Sequence, residues 1–263
     1  MMTEPVLYLL TGAVAGVSAG LLGIGGGLII VPMLFLIFSS QPGATDHAMH
    51  IALATSLATI IVTSASSTWA HHKRGAVLWS VVAALSPGII VGAWLGAQLA
   101  SVLPSDILKP VFGVFELLVA LHLLLGHQPA SAANSISRTR SLVGGTVIGS
   151  ISSIVGIGGG TLTVPFLLWH NIAIRNAVAS SAACGFPVAA AGTAAYIVSG
   201  WNADGLPSGS LGFVNLTAFL LIIITSVLTA PAGASLAHRL PQATLRLIFA
   251  LFLLVLGLKM LLF

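Results

Sequence analysis

Gly23-Ile24-Gly25-Gly26-Gly27-Leu28-Ile29-Ile30-Val31-Pro32 recurs 133 residues later as Gly156-Ile157-Gly158-Gly159-Gly160-Thr161-Leu162-Thr163-Val164-Pro165, with seven of ten positions identical. Four glycines in five residues are poor helix formers, each about 1 kcal/mol worse than alanine. Both copies lie in strongly apolar sequence, where freed main-chain N–H and C=O groups find no water. Such backbone persists at membrane depth only where protein buries it or where it lines a wet cavity. Two apolar halves broken at a matching place point to the binding site of a membrane carrier.

The composition agrees. The chain of 263 residues is 57% hydrophobic and 5% charged, with a mean hydropathy of +1.09. A soluble domain of this length could not cover its surface with so few charges. Nine Lys/Arg against five Asp/Glu give a net charge of +4. The basic residues are scattered at segment ends, the loop pattern of a polytopic membrane protein, and form no nucleic-acid patch. A single cysteine, Cys184, rules out an intrachain disulfide and any cysteine-based metal cluster. No cofactor or metal is expected, no signal peptide is evident, and Val6–Leu22 reads as the first membrane element.

Working outward, Val6–Leu22 and Leu28–Phe38 would span about 25 and 17 Å as helices. Against a hydrocarbon core of about 30 Å, the pair is too long for one crossing and too short for two. It reads as a re-entrant hairpin or two short broken helices. Three longer segments follow: His50–Ala70, Ala76–Val102 and Leu108–Leu125. After the polar stretch 126–140, the order repeats as Leu142–Val155, Thr161–Trp169, Ala177–Ile197, Leu211–Leu236 and Ala243–Phe263. Cys184-Gly185-Phe186-Pro187 reads as an interruption of the third of these.

The match extends beyond the glycines. Ala54-Thr55-Ser56-Leu57 aligns with Ala179-Ser180-Ser181-Ala182 at an offset of 125, and Gly96, Pro104 and Lys109 find Gly233, Pro241 and Arg246 at 137. The expected fold is therefore an all-α polytopic membrane protein of two inverted internal repeats. Each has a glycine-broken or re-entrant helix pair plus three full transmembrane helices. Residues 1–127 form the first repeat, 128–140 the linker and 141–263 the second.

Charge argues for the sense of the repeat. Inverted halves place Lys73, Arg74, Arg138, Arg140, Arg175, Arg239 and Arg246 on one face and Lys109 and Lys259 on the other, whereas parallel halves split them five to four. The positive-inside rule prefers seven to two, with both termini outside.

The candidate substrate-binding residues are Gly25, Gly26, Gly27, Gly158, Gly159 and Gly160, with Thr55, Ser56, Ser180 and Ser181. A short helix starting near mid-membrane aims unpaired N–H groups and its positive dipole end at a ligand. Glycine lets that ligand come close, so an anion is held without a buried lysine. Pro32 and Pro165 suit the first turn of a restarting helix or a kink in one already begun. The other reading of the glycines is tight helix packing. The hydroxyls can donate to an oxyanion, or bond back to the preceding turn. Glu116, the one acid well inside a membrane segment, is the coupling candidate, or else a protonated acid bonded to a neighbouring helix. Lys73-Arg74 is a cytoplasmic anchor or an anion funnel.

With GIGGG-x4-P in both halves, Ala54-Thr55-Ser56-Leu57, and Pro87-Gly88-x3-Gly92-x3-Gly96, the chain resembles the TauE/SafE family of sulfite exporters over nearly its full length. That resemblance implies transport of small sulfur-containing anions such as sulfite, thiosulfate or sulfoacetate across the cell inner membrane, in either direction. The partners expected are a small anion and the lipid bilayer, with no nucleic acid; a homo-oligomer is compatible with this reading. A channel is the first alternative. An intramembrane transferase using Cys184 or a histidine is the second, and no nucleophile, base and orienting group come together in the sequence to support it.

Overall fold

The computed structural model describes residues 3–22, 26–40, 46–125, 137–237 and 242–262. Among these residues the chain is helical almost throughout. The first half supplies α1 (Thr3–Leu22), α2 (Gly27–Ser39), α3 (Ala48–Lys73), α4 (Trp79–Val102) and α5 (Ser105–Leu125). The second supplies α6 (Arg138–Val155), α7 (Gly160–Trp169), α8 (Ile174–Ser199), α9 (Leu216–Ala237) and α10 (Gln242–Leu262). A two-stranded hairpin, β1 (Ser210–Leu211) and β2 (Val214–Asn215), precedes α9. Four helices, α3, α4, α5 and α8, are long and apolar enough to cross a bilayer. On α4 and α5 aliphatic side chains stand exposed, as with Val91, Leu95 and Leu99 on α4 and Leu118 and Leu121 on α5. So broad an apolar surface belongs against lipid.

The broken pairs double back. Tyr8 near the start of α1 lies 6.0 Å, ring to ring, from Phe38 at the end of α2. In the second half the Phe166 ring of α7 lies against Gly144 of α6. Trp169 and His170 share a cavity with Thr139 and Arg140 at the start of α6. Each pair is thus a hairpin whose two outer ends lie together, with Gly26 and Gly27 in the first and residues 156–160 in the second at the far end.

The two most extensive interfaces between the halves are α1 on α9 and α4 on α6. Both rest on absent side chains. A β-carbon at Gly88, Gly92 or Gly96 of α4 would strike the backbone of Leu142, Thr146 or Ser150. Gly145 and Gly149 of α6 face Leu85 and Ile89 in the same way, and Gly12 and Gly16 of α1 face Ile222 and Ser226 of α9. Small residues at four-residue spacing let membrane helices approach until their backbones touch. Hydroxyls then cross the seam: Ser150 Oγ donates to Gly92 O at 3.0 Å and Ser226 Oγ to Gly12 O at 2.9 Å. Gly12 and Gly16 are the counterparts of Gly145 and Gly149 at the offset of 133.

Some boundaries differ from the sequence expectation. Helix α8 runs unbroken through Cys184 and Pro187, since packing within the bundle tolerates one lost N–H. Helix α4 starts at Trp79 rather than Ala76, and α9 at Leu216 because the β-hairpin occupies residues 210–215. Pro32 and Pro165 each fall at the sixth position of their helix, so the helices begin at the glycines and the prolines enter in the second turn.

Candidate anion site

The two glycine runs meet in the protein interior. A β-carbon on Gly27 would lie 3.0 Å from both the carbonyl oxygen of Gly156 and the α-carbon of Ile157. Gly156 ends α6 with φ +68°, a left-handed conformation that favours glycine. Its freed carbonyl accepts a 2.8 Å hydrogen bond from Ser56 Oγ of α3, buried like its partner. The break in the second half is therefore stitched to the first half by a hydroxyl. Ile60, one turn further along α3, reaches toward both runs. Its side chain would stand 3.3 Å from a β-carbon at either Gly27 or Gly158.

Both short helices begin here. Gly26 precedes α2, and its carbonyl accepts from Ile29 and Ile30 at 3.0 and 2.9 Å. Gly159 precedes α7, and its carbonyl accepts from Leu162 and Thr163 at 3.2 and 2.7 Å. The amides ahead of those bonds, of Gly27 and Leu28 in α2 and of Gly160 and Thr161 in α7, have no intrahelical acceptor by the geometry of a helix start. Gly25 lies outside the described residues.

Thr55 and Ser180 each accept a hydrogen bond from the amide at the start of a helix in the other half. Thr55 Oγ1 accepts from the amide of Asn215 at 3.0 Å, and Ser180 Oγ accepts from the amide of Leu78 at the same distance. Asn215 immediately precedes α9, which its Oδ1 caps at Ala218 N. Leu78 immediately precedes α4. The two bonds are counterparts, since Thr55 and Ser180 are offset by 125 and Leu78 and Asn215 by 137. Each half's third helix thus anchors the entry to the other half's fourth. Ser181 Oγ bonds back to Val178 O within α8.

Glu116 lies on α5, away from this stitching. It is fully buried, and neither carboxyl oxygen has a partner among the described residues. It shares a helix face with Gly113, which packs on Gly257 and Met260 of α10.

Three residues at the junction were not singled out by the sequence reading. Thr163 is fully buried beside Gly159 with its hydroxyl unpartnered among the described residues. Gly185 of α8 and Ser64 of α3 face one another next to the Gly159 amide. The available signal was the substitution of Thr163 for Ile30 inside the repeated stretch itself.

Comparison with known proteins follows the same lines. The family described as sulfite exporter TauE/SafE matches residues 8–260. A probable membrane transporter protein of Haemophilus influenzae is 39% identical, over 99% of both chains. A probable membrane transporter protein of Methanocaldococcus jannaschii is 27% identical over 97% of this chain and 95% of its own. One from Bacillus subtilis is 24% identical over 92% of this chain and 94% of its own. No solved structure matches the chain. The relatives are named as transporters rather than enzymes, and the match takes in both hairpins and every long helix: the chain belongs to the sulfite exporter TauE/SafE family of membrane proteins.

Proposed function

We propose that the protein is a secondary carrier of small sulfur-containing anions, such as sulfite, thiosulfate or an organosulfonate like sulfoacetate, working by alternating access. The observation that carries this reading is the meeting of the two glycine runs at the tips of two hairpins, where two short helices start. Helix starts supply N–H donors and positive dipole ends without a buried cation. The anion site is that junction: Gly26, Gly27 and Gly158–Gly160 line it, with Gly25 next in the run. Ser56 fixes the broken backbone, while Thr55, Ser180 and Ser181 hold the surrounding helices. The match to a family described as a sulfite exporter supports the sulfur anion.

Binding by the purified full chain to sulfite, thiosulfate, sulfoacetate, sulfate and acetate tests the substrate class. Gly159→Val is the matching variant. A β-carbon there presses closely only on the end of the Thr163 side chain, at 2.9 Å, with its next neighbours at 3.8 Å or more. It should abolish binding while leaving the amount of folded protein nearly unchanged. Equal loss of folding and binding would favour a packing role for the glycines.

The repeats are inverted in this reading, residues 1–127 against 141–263, in the cell inner membrane with both termini outside. The ends support it: Arg175 donates to Arg74 O at 2.9 Å, and Arg138 and Arg140 start α6 beside the end of α7. Cysteines introduced at positions 73, 138 and 239 should resist a membrane-impermeant thiol reagent in intact cells. Labelling at 239 but not at 73 would mean parallel repeats.

A further inference from the structure

The two glycine runs match in sequence, but their surroundings do not. At the head of α2, Ile30 covers Gly26: its Cδ1 would stand 3.1 Å from a β-carbon there. At the head of α7 the equivalent residue, offset by 133, is Thr163, whose Oγ1 would stand 2.9 Å from a β-carbon on Gly159. Leu28 and Thr161 form a second such pair. The third helices differ in the same sense. Ile60 of α3 fills the space between Gly27 and Gly158, while its counterpart in α8, at the offset of 125, is Gly185.

The Thr163 hydroxyl is one of five buried helix hydroxyls without a partner among the described residues, with those of Thr68, Ser152, Thr161 and Thr193, and with Thr161 it is one of two at the head of α7. Threonine in a membrane helix ordinarily donates to a carbonyl of the preceding turn. Thr11, Thr146, Thr225 and Thr229 do so, at 2.8 to 3.0 Å. Thr163 is as deeply buried as any of them, yet its Oγ1 has no partner among the described residues. Beside it, the space is looser on the second-half side of the junction. A β-carbon on Gly185 would meet Ser64 Cβ at 3.3 Å and then the Gly159 amide nitrogen and Ser64 Oγ at 4.0 Å. A β-carbon on Gly27 would meet Gly156 O and Ile157 Cα at 3.0 Å and Ile60 Cδ1 at 3.3 Å, and one on Gly156 would meet Leu53 and Val31 carbons at 2.8 to 3.0 Å.

We infer that the anion takes its donors from the second half alone, in the space between the start of α7 and Gly185, from Thr163 Oγ1 and the first α7 amides, while Gly26 and Gly27 line the junction without donating. Ser64 of α3, whose bond to Ile61 O is a long 3.4 Å, borders the same space. Ile30, Ile60 and Leu28 form an apolar wall that turns the opposite helix start into a plug. This rests on the carrier reading above and deepens it. A pair of symmetric half-sites would offer two equivalent positions for one ion; an unequal pair fixes it in one. The ligand class is a small oxyanion whose charge is met by N–H and O–H groups, with no cationic side chain.

The test makes the same residue at equivalent positions. Thr163→Val and Ile30→Val are compared for binding of sulfite, thiosulfate and sulfoacetate by calorimetry on the full chain in detergent, with melting temperatures measured alongside. Thr163→Val should weaken binding by about tenfold to a hundredfold, the range for one hydrogen bond to a charged group. Ile30→Val should bind like the unmodified chain, and Thr163→Ser, which restores the hydroxyl should Thr163→Val fold poorly, should recover affinity. Equal effects at positions 30 and 163, or an unchanged Thr163→Val alongside a non-binding Gly159→Val, overturn the one-sided site and leave the carrier reading intact. If the unmodified chain binds none of the three anions, the carrier reading fails for this class and the inference falls with it.

Discussion

Gly92→Val should leave almost no folded protein. The position sits mid-way along α4, where a β-carbon would lie well inside contact distance of the Thr146 carbonyl oxygen and 2.8 Å from the Thr146 α-carbon. Those are backbone atoms of a helix, and they cannot swing aside. The opposing Gly149 is held as tightly, with Ala93 N 2.8 Å from where its β-carbon would be. Separating the helices to admit a valine would also break the 3.0 Å bond from Ser150 Oγ to Gly92 O. Ordinary overpacking costs about 1–3 kcal/mol. Here two backbones must part along the whole interface, so a loss above about 4 kcal/mol is expected, a large share of a typical stability of about 5–15 kcal/mol. Size-exclusion of a fluorescent fusion in detergent reads this directly, with Val91→Leu on the exposed face as control. A monodisperse Gly92→Val peak of normal height and melting temperature would refute the close-packed seam.

The same seam marks where the sequence could be read and where it could not. Helix existence was legible because apolar runs between polar ends leave few alternatives. The hairpins were legible because 17 and 11 apolar residues around four glycines suit no ordinary crossing. Helix ends were less so. Pro187 looked like a break because proline removes an N–H, but the neighbours of α8 that stabilise an unbroken helix are distant in sequence. The β-hairpin before α9 was missed, since residues 210–215 contain no alternation long enough to signal a strand. At the site, Gly27 packs against Gly156 and Ile157, a contact between halves that no local pattern specifies. Thr55 and Ser180 were found as an equivalent pair, but their partners, Asn215 and Leu78, lie 160 and 102 residues away. No local pattern identifies them as anchors of helix entries. Thr163 was not legible as a site residue, because the shared motif draws no distinction between it and Ile30, its apolar counterpart. The informative position was one where the copies differ.

Replacing Glu116 by glutamine should abolish concentrative transport while sparing exchange. Glu116 is fully buried on α5, both of its oxygens lack partners among the described residues, and its repeat counterpart on α10 is the buried Leu253. An unpaired carboxylate in the bilayer interior is costly. In the proposed carrier cycle the group holds a proton while enclosed and gives it up when opened to water, which would couple a proton to the movement of an anion. Glutamine matches the size and hydrogen-bonding capacity of the protonated acid but cannot release a proton. In vesicles with an imposed proton gradient, Glu116→Gln should lower accumulation of labelled sulfite or sulfoacetate to the level reached without the gradient. Counterflow of bound substrate, which needs no net proton movement, should persist. Glu116→Leu separates this from packing: it copies the residue found at the equivalent place on α10, so a structural role would leave it well folded and active. Gradient-driven accumulation by either variant at the wild-type level would reduce Glu116 to a core residue and move the coupling elsewhere.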